Sequence, residues 1–359
     1  MQRLFDGKWG VILTGIVVGI LAPVLVKLGN PGNMGICVAC FTRDVAGALG
    51  LHRAAAVQYI RPELIGMVFG AMIAAIAFKE FKPRAGAGGA LRFLWGMLAA
   101  IGALMFLGCP WRAFLRVGGG DWNALVGIVG FVAGVAGGSF FLKQGYSLGR
   151  SRPASAALGW VMPAFMAGLL ALLLLKPVYA QGGPVLFSTT GPGSQHAPIF
   201  IALGAGLLVG FLVQRARFCT VGAFRNIIML KDYTLFYGIV GLVAAAAATN
   251  LALGLFKPGF AGQPIAHTDG LWNFLGMALS GLAFTLGGGC PGRQLILTGE
   301  GDGDATIFIM GLLVGAAFAH NFSLASSAAG PSAFGTYAVV IGLVIAVVLG
   351  FVVREAKEA

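Results

Sequence analysis

Residues 107–118, LGCPWRAFLRVG, and residues 288–299, GGCPGRQLILTG, carry the same Gly-Cys-Pro-x-Arg module 181 positions apart. Proline is favoured in the first turn of a helix, where its missing N–H would be unpaired anyway. The module therefore predicts two short helices beginning at Pro110 and Pro291, with Cys109 and Cys290 at their N-caps. Stretches 110–117 and 291–298 are too short to cross a bilayer, which takes about 20 apolar residues. They read as re-entrant half-helices. Irregular backbone of that kind persists in a membrane only where protein buries it or a polar cavity borders it.

Outward from the modules the register holds through Gly118/Gly299, Gly120/Gly301, Asp121/Asp302, Gly130/Gly311 and Gly134/Gly315. Upstream, Cys37 aligns with Cys219 and Arg43 with Arg225 at an offset of 182, and GIVVGIL at 15–21 matches GLLVGFL at 206–212 at an offset of 191. The chain is thus read as two repeats, residues 1–178 and 198–359, joined by a polar linker at 179–197. Each repeat carries Cys-x5-Arg after its first span and Gly-Cys-Pro-x-Arg after its third.

Composition sets the environment. Of 359 residues, 58% are hydrophobic and 10% charged, against roughly 25% charged in soluble domains. That is too little charge to cover a water-soluble surface, so the fold class is all-α, a polytopic membrane protein. The 58 glycines follow no Gly-X-Y period and fit close helix packing in lipid. Apolar windows lie near 10–28, 63–81, 91–108, 123–142, 158–176, 198–214, 235–256, 271–289, 305–320 and 334–353, giving about ten spans plus the half-helices.

The net charge is +12. The basic residues sit in short runs between apolar segments rather than in a stripe with interleaved aromatics, which excludes nucleic-acid binding. With a cytoplasmic N-terminus, 16 of the 24 Lys and Arg fall on the inner side, predicting both termini in the cytoplasm. Four of the exceptions, Lys27, Arg43, Arg53 and Arg61, lie between the first two spans. No short hydrophobic core followed by a small-residue cleavage site opens the chain, so the first span is expected to be retained. Five spans per repeat is odd, so the repeats enter the membrane from opposite sides. That is the plan of many secondary transporters, whose sites lie near the midplane on broken helices.

The repeated residues carry the chemistry. A helix start presents free N–H groups and the positive end of the dipole, and an Arg two residues past the Pro adds a planar, permanently charged fork. Together these suit a small oxyanion. A buried Cys is ordinarily inert packing, but four at repeat-matched positions, each near an Arg, argue for use. A neighbouring positive charge or helix start favours the thiolate, and a thiol can donate a hydrogen bond to sulfur or exchange with it. The candidate substrate-binding residues are Cys37, Cys40, Cys109, Cys219, Cys290, Arg43, Arg112, Arg225 and Arg293.

Other readings are weaker. An odd number of cysteines in apolar surroundings argues against a disulfide framework, and Cys37-x-x-Cys40 lacks the βαβ setting of a redox dithiol. Zinc needs about four ligands, and position 222, the partner of Cys40, is Gly. No metal and no cofactor are expected. His196 and His267 are read as exposed or interfacial, and His320 as an interfacial residue or a proton site. Glu300, Asp302 and Asp304 form a solvated loop or pair with Arg293. No Walker loop, Ser-His-Asp spacing or paired-carboxylate arrangement stands out.

At these residues the chain resembles the YeeE/YedE family of sulfur-compound transporters over nearly its whole length. The runs KLGNPGNMGICVACFTRDV at 27–45, LGLHRAAAVQYIRPE at 49–63 and FAGQPIAHTDGLWNFLGM at 260–277 are similar to the branch associated with selenium metabolism. The resemblance implies an inner-membrane permease of hourglass shape, with cysteines passing the anion along by S–H···S contacts. By motif those positions would be Cys37, Cys109 and Cys290, with Cys219 completing the set. Cys40 departs from the thiosulfate-type pattern and leaves the substrate as thiosulfate or a selenium compound.

Two functions follow. The first is a permease, not an enzyme, for a small sulfur or selenium anion, delivering it to a cytosolic sulfur or selenium carrier protein. The second is a membrane thiol enzyme acting by persulfide chemistry, with Cys40 as a resolving thiol beside Cys37. The repeat favours transport, because a single catalytic centre gains nothing from duplicating its motif.

Overall fold

The computed structural model describes residues 7–86, 88–175 and 185–354. Arg3, Lys176, Lys357 and the first part of the 179–197 linker lie outside them.

The described residues form fourteen helices of nine residues or more. In the first half these are α1 (Lys8–Lys27), α2 (Val38–Ala48), α3 (Pro62–Ala77), α4 (Gly89–Phe106), α5 (Pro110–Gly118), α6 (Asn123–Lys143) and α7 (Ala156–Leu175). In the second half they are α8 (Ile199–Ala216), α9 (Thr220–Leu230), α10 (Thr234–Ala252), α11 (Gly270–Leu286), α12 (Pro291–Gly299), α13 (Gly303–Asn321) and α14 (Ala333–Val352). A two-residue antiparallel pair, β1 (Arg84–Ala85) with β2 (Arg152–Pro153), is the only named sheet among the described residues. The protein is all-α and polytopic.

Nine segments among the described residues are long and apolar enough to cross a membrane. The expected span at 63–81 is the exception. It forms α3, with 16 residues and a length of about 24 Å, short of a ~30 Å hydrocarbon core. Three of the nine segments, 89–118, 199–230 and 270–299, are broken within. α4 stops where Leu107 turns left-handed (φ 63°), and the Gly108 N–H reaches back to Ala103 O at 2.7 Å. α5 then starts at Pro110. In the second half Gly288 takes the positive φ (104°) that strains Leu107, the Gly289 N–H bonds Phe284 O, and α12 starts at Pro291. The two nine-residue helices predicted from the Cys-Pro dipeptides are present, with Cys109 and Cys290 as N-caps.

Both halves run through the same order of long and short helices, and the main packing joins them crosswise. α1 lies on α10 and α3 on α8, while α4 lies on α13 and α6 on α11. Glycine makes these contacts possible. At the α3–α8 crossing, Gly66 and Gly70 face Gly206 and Gly210, two Gly-x3-Gly pairs. A side chain at any of them would run into a backbone carbonyl of the other helix. Lipid offers no hydrophobic drive for helix association, so close backbone approach supplies dispersion contact instead.

The loops fall into two sets. One joins 80–88, 144–154, 215–217 and 300–304, through β1–β2, the Arg84–Asp302 pair and Arg217 to Glu300. The other joins 28–35, 49–61, 119–122, 185–197 and 257–269, through Asn30 to Ala197, Leu186 to Ala48, and Asn123 to Phe260. These sets match the alternate sides read from the span order.

Candidate functional site

Four short helices begin at a cysteine. Cys37 caps α2 and Cys219 caps α9; each Sγ accepts the backbone N–H three residues on, at 3.3 Å. Cys290 caps α12 in the same way, accepting from the Arg293 N–H at 3.4 Å. Cys109 precedes Pro110 at the start of α5. The sulfur thus replaces the hydroxyl or carboxylate that usually satisfies a free N–H at a helix start.

The thiols meet in two pairs. Cys37 Sγ lies 3.7 Å from Cys109 Sγ, and Cys219 Sγ lies 3.6 Å from Cys290 Sγ. Each pair therefore brings together the starts of two half-helices from one half of the chain. All five cysteines are free and buried. Trp111, two residues past Cys109, connects the pairs by packing on Phe218 (5.8 Å between ring centres) and on Gly292. Cys40 adjoins Cys37, and its Sγ also accepts from Arg112 at 3.3 Å.

Two cavities border the segments that lead into Cys37 and Cys219, and no cysteine lines either of them. One, of about 120 Å³, is lined by Gly32, Asn33 and Gly35 ahead of Cys37, with Lys257 at its edge. The other, of about 480 Å³, is lined by Arg215, Ala216 and Arg217 ahead of Cys219, with Glu80 and Asn226. Burial pushes the Glu80 carboxyl up, but the hydrogen bond from Gln214 and the charges of Arg217 and Arg215 outweigh it and hold the group below the usual range. Glu80 is then ionised at neutral pH, and Arg215 (3.0 Å) and Arg217 (2.7 Å) stay fixed on it.

The four candidate arginines divide. Arg43 is buried against Asp44 at 2.6 Å, and Asp44 also holds Arg61 at 2.7 Å. Arg112 is fully buried, its donors spent on the carbonyls of Asn33, Leu107 and Ile265 and on Cys40 Sγ. Arg293 pairs with Glu300 at 3.0 Å, so the acidic run serves as its partner. Among the described residues Arg225 has no hydrogen-bond or ion-pair partner; position 226 is Asn and not the Asp that follows Arg43. It is half-buried on α9, two turns past Cys219. Of the four candidates, Arg225 is the one with no carboxylate or carbonyl partner among the described residues. Replacing Arg225 with Gln is expected to raise the half-saturation concentration of an anionic substrate severalfold at unchanged melting temperature. A salt titration of uptake checks it, because an unpaired charge acts through a screened field.

Arg61 was not a candidate from sequence. It is fully buried, and beyond Asp44 it donates to Pro192 O (2.8 Å) and Gln195 O (3.0 Å), tying the 185–197 loop to α2. Asp44→Asn leaves two guanidinium groups buried without a counter-charge, a change that typically costs about 3–5 kcal/mol. The expected result is a large drop in thermal stability in detergent. A melting curve indistinguishable from wild type would show that the Arg43–Asp44–Arg61 triad is not assembled.

Of the histidines, His267 departs from the sequence reading. His267 is buried rather than exposed, because its Nε2 meets Met105 O, near the end of α4, at 2.8 Å. His196 is exposed and stacks on Tyr59, 4.5 Å between centres. His320 stacks on His52 at 4.6 Å, a contact between distant segments that no local pattern announces.

Comparison with known proteins bears on this geometry. Residues 215–356 match the family described as sulphur transport. The likeness to the YeeE/YedE sulfur transporters is borne out over that part of the chain. The match contains Cys219, Cys290, Arg225 and Arg293, so the second set of modules lies inside the family signature. The chain is also 32% identical over 107 residues to the thiosulfate transporter TsuA of Escherichia coli (strain K12). That segment is 29% of this chain and 29% of the relative, so the match covers less than a third of the relative's length.

Proposed function

We propose that this chain is a permease for a small sulfur-bearing oxyanion, thiosulfate or a selenium analogue, with the two thiol pairs forming its constriction. The observation that carries the reading is the pair of thiol contacts at the starts of four half-helices, two from each half of the chain. Helix starts offer N–H groups to the anion's oxygens. The thiols offer weak S–H donors to its terminal sulfur. Several weak sites in series suit conduction, which requires that an ion enter favourably and still leave.

In this reading the two halves are inverted repeats, both termini face the cytoplasm, and the protein sits in the bacterial inner membrane. The anion enters from the side of the 185–197 loop, passes Cys37 and Cys109, then Cys290 and Cys219, and leaves toward a cytosolic sulfur or selenium carrier. Arg225 draws it to the inner mouth. A relay of neutral thiols needs no covalent bond, which separates this reading from the thiol enzyme.

Uptake of labelled thiosulfate into proteoliposomes tests it, with unlabelled selenosulfate, selenite and sulfate as competitors. Saturable uptake, competed by the selenium compound and not by sulfate, is expected. Uptake no faster than in protein-free vesicles for every one of these anions would refute the permease. Accessibility labelling of single cysteines placed at 190 and 148 tests the orientation; labelling of 190 from the cytoplasm would overturn it.

A further inference from the structure

The two Gly-Cys-Pro-x-Arg modules are alike except at x, which is Trp111 in the first and Gly292 in the second. These two positions touch. A Cβ built on Gly292 would lie 2.7 Å from both Cε2 and Cζ2 of the Trp111 indole, closer than real Cβ contacts allow. Gly292 is therefore the slot into which the indole fits, and a second Trp there could not be accommodated. The ring system also meets Phe218, the residue before Cys219. Trp111 thus stands two residues from one thiol pair and in contact with the residues flanking the other.

The indole is fully buried, and its Nε1 has no hydrogen-bond partner among the described residues. Indole nitrogen is a donor only. Leaving it unpaired costs about 1–3 kcal/mol, and such an orphan in a native structure calls for an explanation. The Thr220 hydroxyl, next to Cys219 in the first turn of α9, is also buried and lies against the Cys290 thiol. One unpaired indole N–H and one hydroxyl already in contact with a thiol therefore lie beside the second thiol pair. A thiol is a weak donor, adequate for a sulfur atom but poor for the charged oxygens of an oxyanion.

We propose that Trp111 is the specificity-determining residue at the waist, its ring closing the passage between the two thiol pairs and its indole N–H donating to an oxygen of the passing anion. Thr220 supplies a second contact from the opposite half. The N–H is neutral, so it binds without the deep electrostatic trap that an arginine would create. The ring must swing off Gly292 for the anion to pass, which links binding to opening. An anion with a polarisable sulfur at one end can be held by a thiol while its oxygens displace the ring. Sulfate lacks that end. This inference rests on the permease reading and adds the residue that discriminates among its anions.

The test uses the full-length protein in proteoliposomes, with labelled thiosulfate and labelled sulfate, and wild type alongside Trp111→Phe and Trp111→Ala. Trp111→Phe keeps most of the ring and its contact with Gly292 but loses the N–H; its half-saturation concentration for thiosulfate is expected to rise about tenfold with maximal rate nearly unchanged. Trp111→Ala opens the waist, and thiosulfate-over-sulfate discrimination is expected to fall at least tenfold. If both variants melt as wild type does and keep wild-type half-saturation and discrimination, the proposal is wrong. If Trp111→Ala fails to fold, Trp111→Phe alone decides. Thiosulfate-dependent quenching of tryptophan fluorescence in detergent, present in wild type and lost in Trp111→Phe, is expected even without a transport readout. Wild type that neither transports nor shows quenching fails both the permease and this inference; wild type that transports beside unaltered variants fails only the inference.

Discussion

Gly210→Leu is expected to yield almost no folded protein, whereas Gly204→Leu, on the same helix, accumulates at wild-type level. Gly210 is buried where α8 crosses α3, and a Cβ there would overlap the Met67 carbonyl and Cα. That obstacle is backbone in a helix already held by Gly66 and Gly70, so no side chain can swing aside. Forcing methylenes into a packed site typically costs about 1–3 kcal/mol when neighbours can shift, and here the helices must separate instead. Gly204 is exposed, with nothing within 4 Å of its Cβ position, and faces the region where lipid would lie. Size-exclusion profiles of tagged protein in detergent check the pair. A monodisperse Gly210→Leu peak at wild-type yield would show that α3 and α8 do not cross as described.

The same crossing shows what sequence could and could not reveal. High glycine content pointed to close packing, but Gly204, Gly206 and Gly210 look alike in the chain; only the helix opposite decides which of them is indispensable. The half-helices were legible because Cys-Pro is a local signal: proline needs no N–H at a helix start, wherever the rest of the chain goes. Repeat register placed Cys37 with Cys219 and Cys109 with Cys290, yet the contacts are Cys37 with Cys109 and Cys219 with Cys290. A repeat says which residues are equivalent, not which ones touch. Arg112 was expected to act as an anion fork, and the structure spends its donors on one carbonyl at the break after α4, Leu107 O, and on two from distant loops, Asn33 O and Ile265 O. Which loops come to meet the guanidinium is visible only once the backbone path is known. Arg225 went the other way: the change from Asp44 to Asn226 was readable in the chain, and it leaves the guanidinium unpaired. Trp111 escaped notice because a lone tryptophan in an apolar segment is unremarkable until its neighbour proves to be its own counterpart in the other module.

Replacing Cys109 or Cys290 with Ala is expected to cut thiosulfate uptake at least tenfold each, with Cys40→Ala showing a smaller effect. Cys109 and Cys290 sit in different pairs, so an anion that must pass both meets either defect in series, and removing both should lower the rate little more than the worse single change. Loss of one sulfur from a buried site removes little volume, so the melting temperature should move far less than transport does. Ser in place of Cys keeps a donor but shortens the side chain and loses the polarisable atom; across a 3.7 Å Sγ–Sγ contact it should retain partial uptake. Cys40 meets Arg112 and the Cys37 thiol but belongs to neither Sγ–Sγ pair, so its removal should act through the groups it helps to hold. This ordering also separates non-covalent passage from persulfide chemistry, which requires a nucleophilic sulfur: there Ser would be as inactive as Ala, and mass spectrometry after exposure to substrate would find sulfur added to a thiol. Full uptake by both Ala variants would remove the thiols from the path and leave the helix starts and Trp111 as the constriction.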